Sequence, residues 1–103
     1  MFKISNKVRR LTNDEKDKYF KDGYLTGLPV FDDEAKDDLN DLFVSLSSRL
    51  SSDIDINQTN MWHKASLKFY NLCRTPAILD YVEDLLGPNF FQWGGQFFLK
   101  EPK

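Results

Sequence analysis

The feature that most constrains this chain is an aromatic run near its C-terminal end. From Asn89 the side chains sort with a period of two. Phe91, Trp93, Phe97 and Leu99 share one side, and Phe90, Gln92, Gln96 and Phe98 the other. The pattern predicts a β-strand of roughly ten residues, a length at which a strand needs neighbours to satisfy its backbone. Gly94-Gly95 at its centre leaves room for a bulge or for a close approach to the backbone. Upstream only Tyr24-Leu25 looks strand-like, and it is too short to be the partner. Lys100-Glu101-Pro102-Lys103 then ends the sequence without a closing element. The expectation is an α+β chain, several helices followed by the first strands of an incomplete sheet, with residues 1–103 forming one partial domain.

The helices are marked by their caps and stripes. Thr12-Asn13-Asp14-Glu15 is a capping box, which predicts a short helix through Lys16, Tyr19 and Phe20 that stops at Gly23. Asp32 or Asp33 caps a second helix, whose first half carries Glu34, Asp37, Asp38 and Asp41. Leu39, Leu42, Phe43, Leu46 and Leu50 form its apolar stripe. The acidic residues read as a solvated face matched to the helix dipole. Ser51 to Asn60 is polar and reads as a loop, and a third helix is expected over Ala65 to Leu72. Thr75-Pro76 caps a fourth, in which Ile78, Leu79, Val82, Leu85 and Leu86 should be buried, ended by Gly87-Pro88.

Composition narrows the chemistry. Fourteen basic residues against sixteen acidic ones give a net charge of −2, which offers no electrostatic basis for nucleic acid or an anionic membrane. The basic residues are scattered, and the acidic helix around Asp37 repels phosphate, so a nucleic-acid-binding helical domain is disfavoured. Cys73 is the only cysteine, which excludes an internal disulfide, a zinc ribbon and an iron–sulfur cluster. It sits without a neighbouring His or cationic helix start and reads as inert. His63 is the only histidine, so a two-His one-carboxylate iron site cannot be completed within these residues. Met1 to Arg10 lacks the apolar run of a signal peptide, and no stretch approaches the ~20 apolar residues of a membrane span, so a cytoplasmic protein is expected.

Two blocks carry a resemblance. Ile78-Leu79-Asp80-Tyr81-Val82-Glu83-Asp84-Leu85-Leu86-Gly87-Pro88-Asn89, continued by Trp93-Gly94-Gly95-Gln96-Phe97-Phe98-Leu99-Lys100-Glu101-Pro102, resembles the N-terminal region of the phytanoyl-CoA dioxygenase family. Thr12 to Phe31, including the Asp22-Gly23-Tyr24 turn, is similar to the same family's opening helix and first strand. The resemblance implies a double-stranded β-helix and an oxygenase that uses iron(II) and 2-oxoglutarate. It implies iron held by a His-x-Asp pair and a distal His, with an Arg for the oxoglutarate carboxylate. None of these is in residues 1–103, so the sequence is expected to stop short of its metal site, and this fragment alone to be inactive. Relatives with Gly or Ala in place of the metal-binding Asp halogenate instead, and that position too lies beyond Lys103.

By the same resemblance Gln96, four residues before Lys100, is the candidate 2-oxoglutarate contact; the alternative is a strand Gln bonded to a neighbour or to solvent. Lys100 is a candidate for neutralising an anionic substrate, or an ordinary charged residue at a strand end. His63, in Met61-Trp62-His63-Lys64, is a candidate lining of the substrate entrance, with a structural role as its alternative, and Lys64 has the same standing. Trp93 and the Phe cluster read as packing between sheet and helices rather than as a substrate box. The expected function is hydroxylation of a small organic substrate by the completed enzyme. The competing reading is a short non-catalytic protein that pairs its aromatic strand with a partner sheet. The enzyme-fragment reading expects the isolated chain to aggregate or stay molten.

Overall fold

A computed structural model describes residues 1–102 as a helical chain. Five α-helices follow one another: α1 (Asn13–Asp22), α2 (Asp33–Ser47), α3 (Trp62–Ala65), α4 (Leu67–Cys73) and α5 (Pro76–Leu86), with one 3₁₀ turn at Ile56–Gln58. The Thr12 capping box forms with both of its reciprocal bonds, and Gly23 ends α1 in the left-handed conformation, φ 86°. Asp32 is the N-cap of α2, its carboxylate accepting the Ala35 N–H at 2.9 Å.

Three local expectations change. The predicted third helix is split into α3 and α4, because Ser66 is extended (φ −134°, ψ 122°) and caps α4 through the Phe69 N–H. Its hydroxyl thus competes with the helix it interrupts. Thr75 does not cap α5 by its side chain; its hydroxyl donates to the Leu72 carbonyl at 2.7 Å, and the residue is buried. The buried side of α5 is also turned. Ala77 and Tyr81 are the enclosed residues, Tyr81 donating to the Pro29 carbonyl at 2.7 Å, whereas Leu86 is exposed.

The larger correction concerns the sheet. Among the described residues there is no strand, so the α+β reading with its double-stranded β-helix gives way to a helical chain. Among the described residues Tyr24-Leu25 has no strand partner, and the β-type contact found is an isolated antiparallel bridge between Ile4 and Phe31. Phe90 to Leu99 carries no helix, turn or ladder. The physical reason is the one that made the run demanding: a ladder requires a neighbouring strand, and residues 1–102 offer none to this segment.

The segment is nevertheless held. Leu42, Leu46, Ile56, Trp62 and Phe69 form the buried core, and Phe97 joins it from the C-terminal run. Its ring meets those of Phe43, Trp62 and Phe69 edge to face at centroid distances of 5.2, 5.8 and 5.3 Å. Asn57 clasps the backbone of Leu99 on both sides: its Oδ1 accepts the Leu99 N–H at 2.6 Å, and its Nδ2 donates to the Leu99 carbonyl at 3.1 Å. Phe91, Trp93 and Phe98 remain 79, 85 and 84% exposed, so they are not the core packing expected of them.

The N-terminal segment is tied across the chain to α5. Asp84, only 8% exposed at its side chain, accepts the Leu11 N–H at 3.0 Å and the Arg10 guanidinium at 2.7 and 3.0 Å. These bonds hold the Asp84 carboxyl below its ordinary pKa, the Leu11 N–H contributing most. The radius of gyration, 15.4 Å, exceeds the ~13 Å of a compact domain of this length.

Candidate functional site

The place where chemistry-bearing side chains converge is the junction of α3 with the glycine pair. Met61 takes a left-handed conformation, φ 63°, the sole non-glycine residue among those described to do so. Asn60 supports it by accepting the Met61 N–H on its side-chain oxygen. This bend starts α3 with Trp62 directed inward, where its indole N–H donates to Thr59 Oγ1 at 2.8 Å. The Trp62 backbone N–H, one of the donors a helix start leaves free, donates to the Gly95 carbonyl at 3.2 Å.

That bond draws the C-terminal run onto α3. A Cβ on Gly95 would stand 2.9 Å from Phe69 Cε1, 3.0 Å from Gln92 Nε2 and 3.1 Å from His63 Nδ1. The close approach foreseen for Gly94-Gly95 is therefore made, and Gly95 is the residue that requires it. Gly94 is open by comparison, its nearest atom lying 3.5 Å from an added Cβ.

Met61, His63, Lys64, Gln92 and Trp93 line a groove of about 410 Å³ at this junction. His63 is half-buried, and its Nδ1 is enclosed without a hydrogen-bond partner among the described residues. An orphaned polar atom of this kind calls for an explanation, because burial without a partner costs roughly 1–3 kcal/mol. Gln92 spans the base of the run, its Nε2 donating to Cys73 Sγ at 3.2 Å and to the Gly94 carbonyl at 3.0 Å. The groove thus offers an imidazole ring, an amide, an ammonium group and an indole wall, a set suited to gripping a small polar molecule with an apolar face.

Of the four residues singled out in the sequence, His63 and Lys64 line the groove. Gln96 and Lys100 are exposed and are not among its lining residues. Gln92, which does line it, was read only as one side of the predicted strand. Its bond to Cys73 crosses nineteen positions of sequence, and no local pattern announces it.

The described residues contain no group of three or more His, Cys, Asp or Glu side chains that would hold a metal ion. Iron(II) therefore does not fit these residues. Among them no helix is long and apolar enough to cross a membrane. Compared with known proteins, the chain matches no family model, no curated protein and no solved structure.

Proposed function

We propose that residues 1–103 are the N-terminal portion of a phytanoyl-CoA dioxygenase-like enzyme that hydroxylates a small organic substrate with O2 and 2-oxoglutarate. The observation that carries the reading is the meeting of Met61–Lys64, singled out as a candidate substrate-entrance lining, with Trp93–Gly95, part of the block that resembles the family, through the Trp62–Gly95 bond. In this reading His63 and Lys64 contribute to one wall of the substrate pocket. Lys64 supplies positive charge, and the His63 ring forms part of the wall, its Nδ1 enclosed against Gly95. Iron(II) takes its ligands from polypeptide outside residues 1–103, and no step of oxygen chemistry is assigned to the groove.

The test is turnover by the natural gene product that carries these residues. Supplied with iron(II), O2 and 2-oxoglutarate, it should release succinate, and a chelator should abolish that release. A folded product that gives no iron-dependent succinate overturns the proposal.

A second reading is favoured by a separate observation: Phe91, Trp93 and Phe98 are exposed on a segment whose N–H groups, from Phe90 to Phe98, find no hydrogen-bond partner among the described residues. In that reading the chain is a binding module that offers residues 90–98 to a partner strand. Protection of the amides of this segment on binding, in the absence of any oxygenase activity, would favour it over the first.

A further inference from the structure

The segment reads Phe90-Phe91-Gln92-Trp93-Gly94-Gly95-Gln96-Phe97-Phe98, which is the same in both directions about Gly94 save for the Trp93 and Gly95 pair. We infer that this segment pairs antiparallel with the same segment of a second copy of this chain, the two-fold axis passing through Gly94. The inference rests on the second reading above and names its partner.

The hydrogen bonds of the single chain agree with that axis. Successive residues of a β-type segment direct their N–H and C=O groups to opposite edges. The Gly95 carbonyl and both backbone groups of Leu99 are turned to α3 and Asn57. The odd-numbered positions therefore face the helices, and the even-numbered ones face away. No hydrogen bond to the N–H groups of Phe90, Gln92, Gly94, Gln96 or Phe98 is found among the described residues. None of the segment's residues has a positive φ, Gly94 and Gly95 included, and none is in a turn.

An antiparallel pair centred on Gly94 uses that edge, exchanging the Gln92 side-chain bond to the Gly94 carbonyl at 3.0 Å for one from the partner's Gly94 N–H. Phe90 meets the partner's Phe98, Gln92 meets the partner's Gln96, and Gly94 meets the partner's Gly94, all as hydrogen-bonded pairs. The same edge also admits centres on Trp93 or Gly95, and the symmetry of the sequence selects Gly94, the centre that sets Phe opposite Phe and Gln opposite Gln. Trp93 falls opposite the partner's Gly95, where an aromatic ring lies over the bare glycine backbone, an arrangement that supports glycine in antiparallel ladders. Such an interface is isologous, each contact occurring twice, which a sequence symmetric about its centre satisfies. The segment carries no charge from Asn89 to Leu99, so no like charges oppose one another.

Phe91, Trp93 and Phe98 are each more than three-quarters exposed, and at about 200 Å² per aromatic side chain the two copies together offer on the order of 1,000 Å² of aromatic surface at and beside the pairing.

The test is the oligomeric state of the 103-residue chain by analytical ultracentrifugation, with far-UV circular dichroism as the check on folding. The expected result is a concentration-dependent dimer. Gln92→Lys with Gln96→Lys places like charges opposite one another twice and should give a monomer, whereas Gln92→Glu with Gln96→Lys places opposite charges there and should restore the dimer. Independently of folding stability, Gln92→Cys and Gln96→Cys chains, each on a Cys73→Ser background, should form disulfide-linked dimers on mixing far more readily than either does alone. A wild-type chain that stays monomeric, or a dimer indifferent to both charge variants, overturns the inference. A monomer whose Gln96 amide becomes protected by a soluble Thr/Val strand peptide overturns self-pairing and retains the second reading; a monomer that binds no strand overturns both.

Discussion

Replacing Phe97 by Ala removes the one ring of the C-terminal run that sits in the core. The ring makes three edge-to-face contacts, with Phe43, Trp62 and Phe69. Aromatic pairs of this geometry contribute ~0.5–1.5 kcal/mol each beyond burial, and Phe→Ala in a full core costs ~3–5 kcal/mol. Phe97 is half-buried, so about 3 kcal/mol is the expected loss, a large share of the ~5–15 kcal/mol by which domains are stable. Phe98, its immediate neighbour, is 84% exposed, and its replacement by Ala should change stability by less than about 0.5 kcal/mol. Urea unfolding followed by tryptophan fluorescence measures both, and Trp62 reports directly because Phe97 contacts it. The measurement belongs at low protein concentration, where self-association does not contribute. Equal losses for the two variants, or a larger one for Phe98→Ala, would refute the assignment of Phe97 as the residue that docks the run.

Other contacts give further tests. Gly95→Ala forces a Cβ to within 2.9 Å of the buried Phe69 ring and should cost ~1–3 kcal/mol as an overpacked site, whereas Gly94→Ala, with open space, should be milder in thermal unfolding. Asp84→Ala leaves the Leu11 N–H and the Arg10 guanidinium without their acceptor and should cost on the order of 1–2 kcal/mol, more than Arg10→Ala. Glu15, held by the Arg9 guanidinium and the Thr12 N–H, has its pKa lowered from 4.5 to about 2. A depressed carboxyl stabilises the folded chain above its unfolded pKa, and that contribution is lost as the pH falls from about 4.5 through about 2. Titration of the Glu15 carboxyl by NMR should show the low value, and Arg9→Ala should move it back toward 4.5.

Much of the helical part was legible because its signals are local. The Thr12–Glu15 box, the left-handed Gly23, the Asp32 cap and Pro76 each act within one turn, and the helices begin and end where these residues stand. The break at Ser66 was less visible, since a serine inside an apolar pattern gives no warning of whether its hydroxyl will cap or point away. The aromatic run misled for a different reason. Its period of two describes side-chain directions correctly in part, with Phe97 inward and Phe98 outward, but a strand is a relation between two segments, and periodicity in one cannot supply the other. At the groove, His63 and Lys64, singled out in the sequence as candidates for a substrate entrance, are among the lining residues, and the close approach at the glycine pair was legible in its lack of side chains. The Gln92–Cys73 and Asn57–Leu99 bonds join positions nineteen and forty-two residues apart, which only the fold brings together.

Residue-resolved hydrogen exchange over Gln92 to Leu99, in dilute solution, tests the central structural claim most directly. A segment docked by Phe97 and Asn57 with its other edge free predicts a protected Leu99 amide beside fast-exchanging Gln92, Gln96 and Phe98 amides, with protection of Leu99 lost in Asn57→Ala. Uniform slow exchange along the segment at every concentration would place it inside a ladder of the single chain and contradict the account.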